Sequence, residues 1–288
     1  MNSDSLSVIG ELTDDLLEAV SRASGRKKME RLIHPLEIDL RKAFRKQGSL
    51  LASKLRQVKR FFTEGGDPFK QHNAWLNLKF NEALPPDEFN MIWAQVQIET
   101  VKLFSVPLDA AVTKALELGG IAMLGEVGIK VRFDLANPRA VDYLTDYGAE
   151  LVKKIDETTK SILQTLITQA GEEGWSYKRT AEAIIERFEE FGIGKPQEHI
   201  DSRAHLIAVT ETGNAFEEGN RIVVKNLQDA GIEMEKSWST VGDGKVSDGC
   251  VANEADGWIG VDQPHTSGHQ RPLRFPGCRC EERYRRKK

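Results

Sequence analysis

The sequence predicts a mainly α-helical protein with a small α+β C-terminal part. Apolar residues recur at helical spacing along most of the chain, and the pattern changes to strict alternation only after Gly231. The chain has 288 residues, of which 40% are hydrophobic, so it can bury a substantial core. We therefore expect a helical N-terminal region, then a helical bundle capped by a short β-rich module that contains the cysteines.

Residues 1 to about 132 are predicted to form the helical N-terminal region. Apolar positions follow a helical period as far as Phe62, and the clusters Gly65-Gly66 and Pro85-Pro86 interrupt it. These breaks predict helical hairpins, with a new helix from about Glu88. Amphipathic helices often bury one face against another chain, so we expect this region to dock on a partner protein.

Two features in the middle of the chain predict interruptions of the helical pattern. Val106-Pro107 is expected either to start a new helix or to kink the existing one. The glycines that follow are expected to loosen the chain before a short, extended run at 129–133. These glycines are Gly119, Gly120, Gly125 and Gly128.

Three helices are predicted between residue 133 and about residue 231. Asn137 can accept hydrogen bonds from the free amides of a first turn, and Pro138 suits the first helical position. Ser176 can cap the second helix. Asp201 or Ser202 can cap the third.

The cap is predicted from residue 232 to residue 288. Met234, Lys236 and Trp238 alternate with polar residues, as on a half-buried strand, and Gly242-Asp243-Gly244 supplies a turn. The chain therefore divides into a helical N-terminal region, residues 1–132, and a second domain, residues 133–288, whose helices run to about residue 231.

Several motifs follow one another in a fixed order in the C-terminal half. They are Phe133 to Ala140, Arg203 to Glu211, Lys236 to Thr240, Asp243 to Val246, and the ending Phe275-Pro276-Gly277-Cys278-Arg279-Cys280. In this order they resemble the phage head morphogenesis proteins of the Mu F type, which are minor head proteins of tailed phages. The resemblance covers roughly the C-terminal half of the chain.

This resemblance implies a non-enzymatic minor capsid protein that acts in procapsid assembly at the portal vertex, and in DNA packaging or ejection. The implied partners are the portal protein, a scaffolding or major capsid protein, and packaged DNA. The protein is then expected in the host cytoplasm during assembly and later in the virion interior. The residues expected to form the structural motif are Arg203, Thr210, Glu211, Trp238 and Asp243.

All three cysteines of the chain fall inside the cap. The candidate ligands for a structural zinc site are Cys250, His265, His269, Cys278 and Cys280. A cap with few large apolar residues gains stability from a metal that fixes its loops. Against zinc, the side chains of a Cys-x-Cys pair in an extended chain point to opposite faces. The alternatives are a disulfide from Cys250 to Cys278 or Cys280, and unlinked thiols.

The resemblance bears on the metal as well. Some Mu F-like proteins carry a Cys-x-x-Cys where this chain has Ser247-Asp248-Gly249-Cys250, so one of the two expected ligands is replaced by Ser247. The family pattern also has Arg before Thr-Glu, where this chain has Val209.

Glu211 lies among apolar neighbours on a helix that is predicted to be buried. A buried carboxylate must be paired or neutralised. We expect it to pair with Arg203 or with the backbone of the 238–243 segment. The alternative is a nuclease-like or transferase-like enzyme that uses Glu211 and Asp243, although the sequence offers no activated nucleophile and no phosphate-binding loop.

The net charge of -4 and the pI near 6.0 give no general attraction to nucleic acid. The C-terminus is a local exception. Its basic residues are expected to form either a solvated, frayed end or a contact with DNA, which would make the chain an internal, DNA-binding head protein. They are Arg283, Arg285, Arg286, Lys287 and Lys288.

No run of about 20 apolar residues occurs, so no membrane partner is expected, and no small-molecule substrate is expected.

Overall fold

The computed structural model describes residues 3–57, 86–175, 177–193 and 202–287. These residues form six helices and a small sheet, which confirms the predicted fold class. The elements are α1 (Ser3–Gln57), α2 (Pro86–Glu126), α3 (Pro138–Glu172), α4 (Tyr177–Ile193), α5 (Arg203–Asp229), β1 (Met234–Ser239), α6 (Asp248–Ala255), β2 (Ile259–Gly260) and β3 (Glu281–Arg286).

The chain divides into two compact units, each assembled from separate segments. The sheet unit comprises Met1–Leu36, Leu108–Asp146 and Leu206–Lys288. The helical unit comprises Glu37–Pro107 and Tyr147–His205. The predicted domain boundary at residue 132 stays a prediction.

The predicted helix starts at Asn137 and Ser202 are confirmed. The side-chain oxygen of Asn137 accepts a hydrogen bond from the Arg139 amide at 3.0 Å, and α3 begins at Pro138. The hydroxyl of Ser202 accepts a hydrogen bond from the His205 amide, also at 3.0 Å, ahead of α5. The breaks predicted at Gly65-Gly66 and Pro85, and the cap predicted at Ser176, lie outside the described residues.

The prediction that glycines loosen the chain was wrong for Gly119, Gly120 and Gly125, because all three lie inside α2, which continues to Glu126. A side chain at Gly119 would place its Cβ 1.9 Å from the Phe216 carbonyl oxygen, and one at Gly219 would place it 2.1 Å from the Leu116 carbonyl oxygen. The glycines therefore permit close packing of α2 against α5. The predicted extended run at 129–133 forms no strand.

An aromatic cluster forms the centre of the helical unit. Phe44 makes edge-on contacts with Phe104 and Phe191, with ring centroids 5.0 and 5.2 Å apart, and Phe188 packs on Phe191 in the same way. The guanidinium of Arg203 lies over the rings of Phe44 and Phe191, 5.1 and 4.6 Å from their centroids. Long helices thus bury a continuous apolar face in this unit.

The sheet has the strand order β2-β1-β3, and both pairings are antiparallel. Trp238 lies opposite Glu282, and Lys236 lies opposite Tyr284. One face of the sheet unit packs an apolar cluster that joins α2, α5 and the strands. Its buried members are Met123, Leu124, Val223, Val224, Leu227, Met234, Val261 and Tyr284.

Candidate metal centre

The three cysteines converge at one buried point of the cap. The sulfur atoms of Cys250, Cys278 and Cys280 all lie within 4.8 Å of one another. The Cys250 and Cys278 sulfurs are 3.9 Å apart, so the three are free thiols and the alternative of a disulfide is not formed. Three buried sulfur donors at this spacing can hold a metal ion.

Two local structures bring these sulfurs together. Cys250 lies in the first turn of α6, where its amide donates to the Ser247 carbonyl. Cys278 closes a turn by donating its amide to the Phe275 carbonyl at 3.0 Å, and Gly277 takes a φ of 80° that a side chain would disfavour. The argument that the Cys278 and Cys280 side chains must diverge does not hold here, because their sulfurs lie within 4.8 Å of each other.

The surroundings of the cluster favour a thiolate at Cys278. The pKa of Cys278 is lowered to about 5, first by a hydrogen bond from the Cys280 thiol and further by the backbone N–H groups of Cys280 and Arg274. The pKa of Cys280 is raised, because its thiol donates to the Cys278 sulfur and is itself buried. Backbone N–H groups that point at a sulfur suit a metal-bound thiolate.

The two histidines predicted as ligands lie elsewhere. His265 is buried between two carboxylates, with Nε2 3.0 Å from Glu282 Oε1 and Nδ1 3.3 Å from Asp256 Oδ2. The His269 ring contacts Ser267 at 3.0 Å. Within the part of the chain that the structure describes, the group able to hold a metal comprises the three cysteines alone.

Trp238 forms the apolar floor of the cysteine cluster. It is buried with all three cysteines, and Val246, Leu273 and Phe275 pack around them. Its indole N–H lies close enough to the Cys280 sulfur to favour the thiolate, although it makes no hydrogen bond of normal geometry. Trp238 also contacts the His265 ring edge-on, with the two ring centroids 5.1 Å apart.

Thr210 connects α5 to the cysteine loop. Its hydroxyl donates to the Leu206 carbonyl at 2.7 Å and accepts a hydrogen bond from the Gly277 amide at 3.0 Å. Gly277 directly precedes Cys278. The Thr-Glu motif and the Cys-Arg-Cys motif are therefore in direct contact, although they lie far apart in the sequence.

The other three motif residues have different surroundings. Arg203 donates to the Ile155 carbonyl at 3.1 Å, and burial lowers its pKa to about 10. Asp243 is an exposed turn residue that accepts hydrogen bonds from Arg279 Nη2 at 2.7 and 2.9 Å. Those bonds, with one from the Lys245 amide, lower the pKa of Asp243. Glu211 is buried as predicted, and the identity of its partner stays a prediction.

A buried polar network next to the cluster escaped the sequence interpretation. Glu217 on α5 accepts a hydrogen bond from the Glu282 amide at 3.3 Å, and burial raises its pKa to about 8, with Glu281 and Glu282 adding to the rise. Burial also raises the pKa of Glu282 and lowers that of Lys236. The sequence did contain a signal for this network, because Glu281 and Glu282 are the two acidic residues in an otherwise basic C-terminal segment.

No family model, curated protein or solved structure matches this chain. Among the described helices, none is long and apolar enough to span a bilayer.

The basic C-terminal residues form an ordered strand. Residues 281–286 are β3, so the expectation of a frayed end was wrong for them. Arg285 pairs with Glu235 at 2.8 Å and lies over the Trp258 ring, and Lys287 pairs with Glu233 at 3.0 Å. Arg283 and Arg286 are exposed on the strand, and Lys288 lies outside the described residues.

Proposed function

We propose that this chain is a minor head protein of a tailed phage or prophage, which acts in procapsid assembly at the portal vertex. The support is the resemblance of its ordered motifs to Mu F-like proteins. The observation that carries the proposal is the contact between those motifs. The hydroxyl of Thr210, in the motif from Arg203 to Glu211, accepts a hydrogen bond from the amide of Gly277, in the motif that contains Cys278 and Cys280. Trp238, in the motif from Lys236 to Thr240, packs on the same cysteines.

We further propose that the three cysteines hold a structural zinc ion. Zinc binds thiolates at about 2.3 Å in tetrahedral sites, which places two sulfurs roughly 3.8 Å apart. The separation of 3.9 Å between the sulfurs of Cys250 and Cys278 fits this geometry. Zinc, when bound, would cross-link α6 to the 275–280 turn. The three cysteines are buried with Trp238, so they would hold a bound ion in an apolar surrounding.

The surface that contacts the portal protein is proposed to lie on α2. Met91 and Ile98 are 61% and 76% exposed and lie on one face of that helix, two turns apart. Exposed apolar side chains that share a face suit a partner helix or groove. Deleting residues 1–60 is a poor test of docking, since it would remove core residues such as Leu40 and Phe44.

The experiment is co-expression with a portal protein from the same genome, followed by sedimentation. We expect the chain to travel with the portal ring, and we expect a Met91→Ser/Ile98→Ser variant to separate from it. The control is Val131→Ser, which removes a side chain that is 64% exposed at another place. Both variants should keep the wild-type circular dichroism spectrum.

Two results would contradict this proposal in different ways. If the wild-type chain separates cleanly from an intact portal ring, the portal-vertex role fails. If the double variant co-sediments as well as the Val131→Ser control does, the role stands and the α2 surface is wrong.

The DNA-binding alternative is less well supported by the contacts of the tail. Its lysine and arginine side chains must neutralise phosphates to bind DNA. Arg285 and Lys287 already pair with Glu235 and Glu233, which reduces the positive charge that this end presents. Among the described residues of the tail, Arg283 and Arg286 would then have to make the contacts with DNA phosphates.

A further inference from the structure

We propose that Arg274 is a positioning residue of the cysteine site, which balances the negative charge of the metal-bound thiolates. The inference rests on the zinc site proposed above and adds to it a residue that does not bind the metal itself.

Arg274 contacts both segments that carry the cysteines. Its backbone N–H points at the Cys278 sulfur. Its side chain reaches the other segment, where Nη1 donates to the Ser247 hydroxyl oxygen at 3.1 Å. The guanidinium also lies against Gly249, the residue before Cys250, so closely that a Cβ there would fall 2.5 Å from the Arg274 Cζ.

Gly249 explains why the guanidinium can sit beside the cluster. Any side chain at this position would displace Arg274 from the start of α6. The cation also lies 5.7 Å from the centroid of the Phe275 ring, which packs on the cysteines. The sequence Gly249-Cys250 thus provides a ligand and, next to it, the space for a positive charge.

Charge counting indicates what this cation does. Three thiolates and one divalent ion leave a net charge of about −1 in a buried place, and such a charge is costly unless it is compensated. Position 247, three residues before Cys250, would supply a fourth sulfur in a Cys-x-x-Cys pair, and Ser247 adds no negative charge there. One guanidinium is therefore enough to neutralise the loaded site.

The free donor of Arg274 agrees with this role. Its Nε atom is buried and has no hydrogen-bond acceptor among the described residues. A buried N–H without an acceptor destabilises the protein. An anionic metal site beside it would offset that cost, so Arg274 would be better accommodated in the loaded protein than in the metal-free one.

The test compares substitutions that separate charge from shape. The full-length chain is purified as wild type, Arg274→Met, Arg274→Lys and Arg279→Met, and zinc affinity is measured at constant pH by competition with a chromophoric chelator. Arg279 is the matched control, because it stands between two of the cysteines but pairs with Asp243. Cobalt(II) absorption reports whether three thiolates still bind.

We expect Arg274→Met to weaken zinc binding about tenfold or more, in the range seen for residues that support metal ligands. Arg274→Lys should recover most of the loss, because it keeps the positive charge. Arg279→Met should stay within about twofold of wild type. The cobalt spectrum should keep its thiolate bands in all four proteins.

Four results overturn the inference. Equal affinity of Arg274→Met and wild type would show that the guanidinium does not support the site. Equal losses in Arg274→Met and Arg274→Lys, or a comparable loss in Arg279→Met, would show that its charge is not what matters. A wild-type protein that takes up no metal would instead overturn the zinc site itself, and this role with it.

Discussion

The helical unit and the cap, residues 232–287, are stabilised by different means. The helical unit has long helices whose aromatic residues meet edge to edge around Phe44. The cap has short strands and one short helix, and its centre is Trp238 with three cysteines. Long helices can bury enough apolar surface to hold themselves together, whereas a short, loop-rich module must fix its chain by specific ties.

Many of the cap's ties are polar and local. Asp256 accepts hydrogen bonds from the amide and hydroxyl of Thr266, and Asn253 exchanges hydrogen bonds with Ser267. Glu254 accepts from both donors of Thr240. Each bond contributes on the order of 1 kcal/mol, so the cap depends on having several of them in place at once.

The largest effect is expected from Phe44→Ala in the helical unit. The substitution removes a fully buried ring together with its contacts to Phe104 and Phe191, and it leaves a cavity. We expect the free energy of unfolding to fall by about 3–5 kcal/mol. Chemical denaturation measures this. The control Ile98→Ala, at an exposed position of a helix, should change it by less than about 0.5 kcal/mol.

If Phe44→Ala lowered the free energy of unfolding no more than Ile98→Ala does, the aromatic cluster would not be what stabilises the helical unit. If it also abolished metal uptake by the cysteines, the two regions would not be independent in their stability.

A second effect, which depends on pH, is expected from Glu217→Gln next to the cap. Burial raises the pKa of Glu217 to about 8, from the ordinary glutamate value of 4.5. Between these values the folded protein keeps a proton that the unfolded chain releases, so this group makes the wild type less stable as pH rises. The slope is at most about 1.4 kcal/mol per pH unit. Gln has no such proton and should remove the slope.

Denaturation at pH 5 and pH 8 therefore distinguishes the two proteins. Glu217→Gln should be close to wild type at pH 5 and more stable at pH 8, since Gln still accepts from the Glu282 amide. A matched control is Glu189→Gln, at an exposed position of α4, which should follow the wild type at both pH values. If the variant and the wild type lose stability in parallel between the two pH values, Glu217 is ionised in the folded protein.

Local features were the most predictable from sequence. Asn137 and Ser202 cap helices because their short side chains reach amides two or three residues away, and such contacts follow from the sequence itself. The alternation around Trp238 likewise predicted β1. The concentration of cysteines predicted a site, and the structure brings all three together.

Long-range contacts were not predictable. Gly119 was interpreted as a break because nothing nearby in sequence shows that Phe216 packs against it. His265 has the chemistry of a ligand, and only the fold places it between Asp256 and Glu282. Arg285 could not be recognised as paired until β3 was aligned with β1, next to Glu235.

The smallest effect is expected from Thr210→Val, which keeps the shape of the side chain and removes its hydroxyl. The hydrogen bond from the Gly277 amide to Thr210 is then lost, at a cost of about 1–2 kcal/mol. Thr165→Val is the control, because that hydroxyl donates only to the backbone of its own helix and is exposed. Hydrogen exchange should show faster exchange at residues 275–280 in Thr210→Val and no change in α1. Uniformly faster exchange would mean that Thr210 supports the whole protein and is no specific tie between α5 and the cysteine turn.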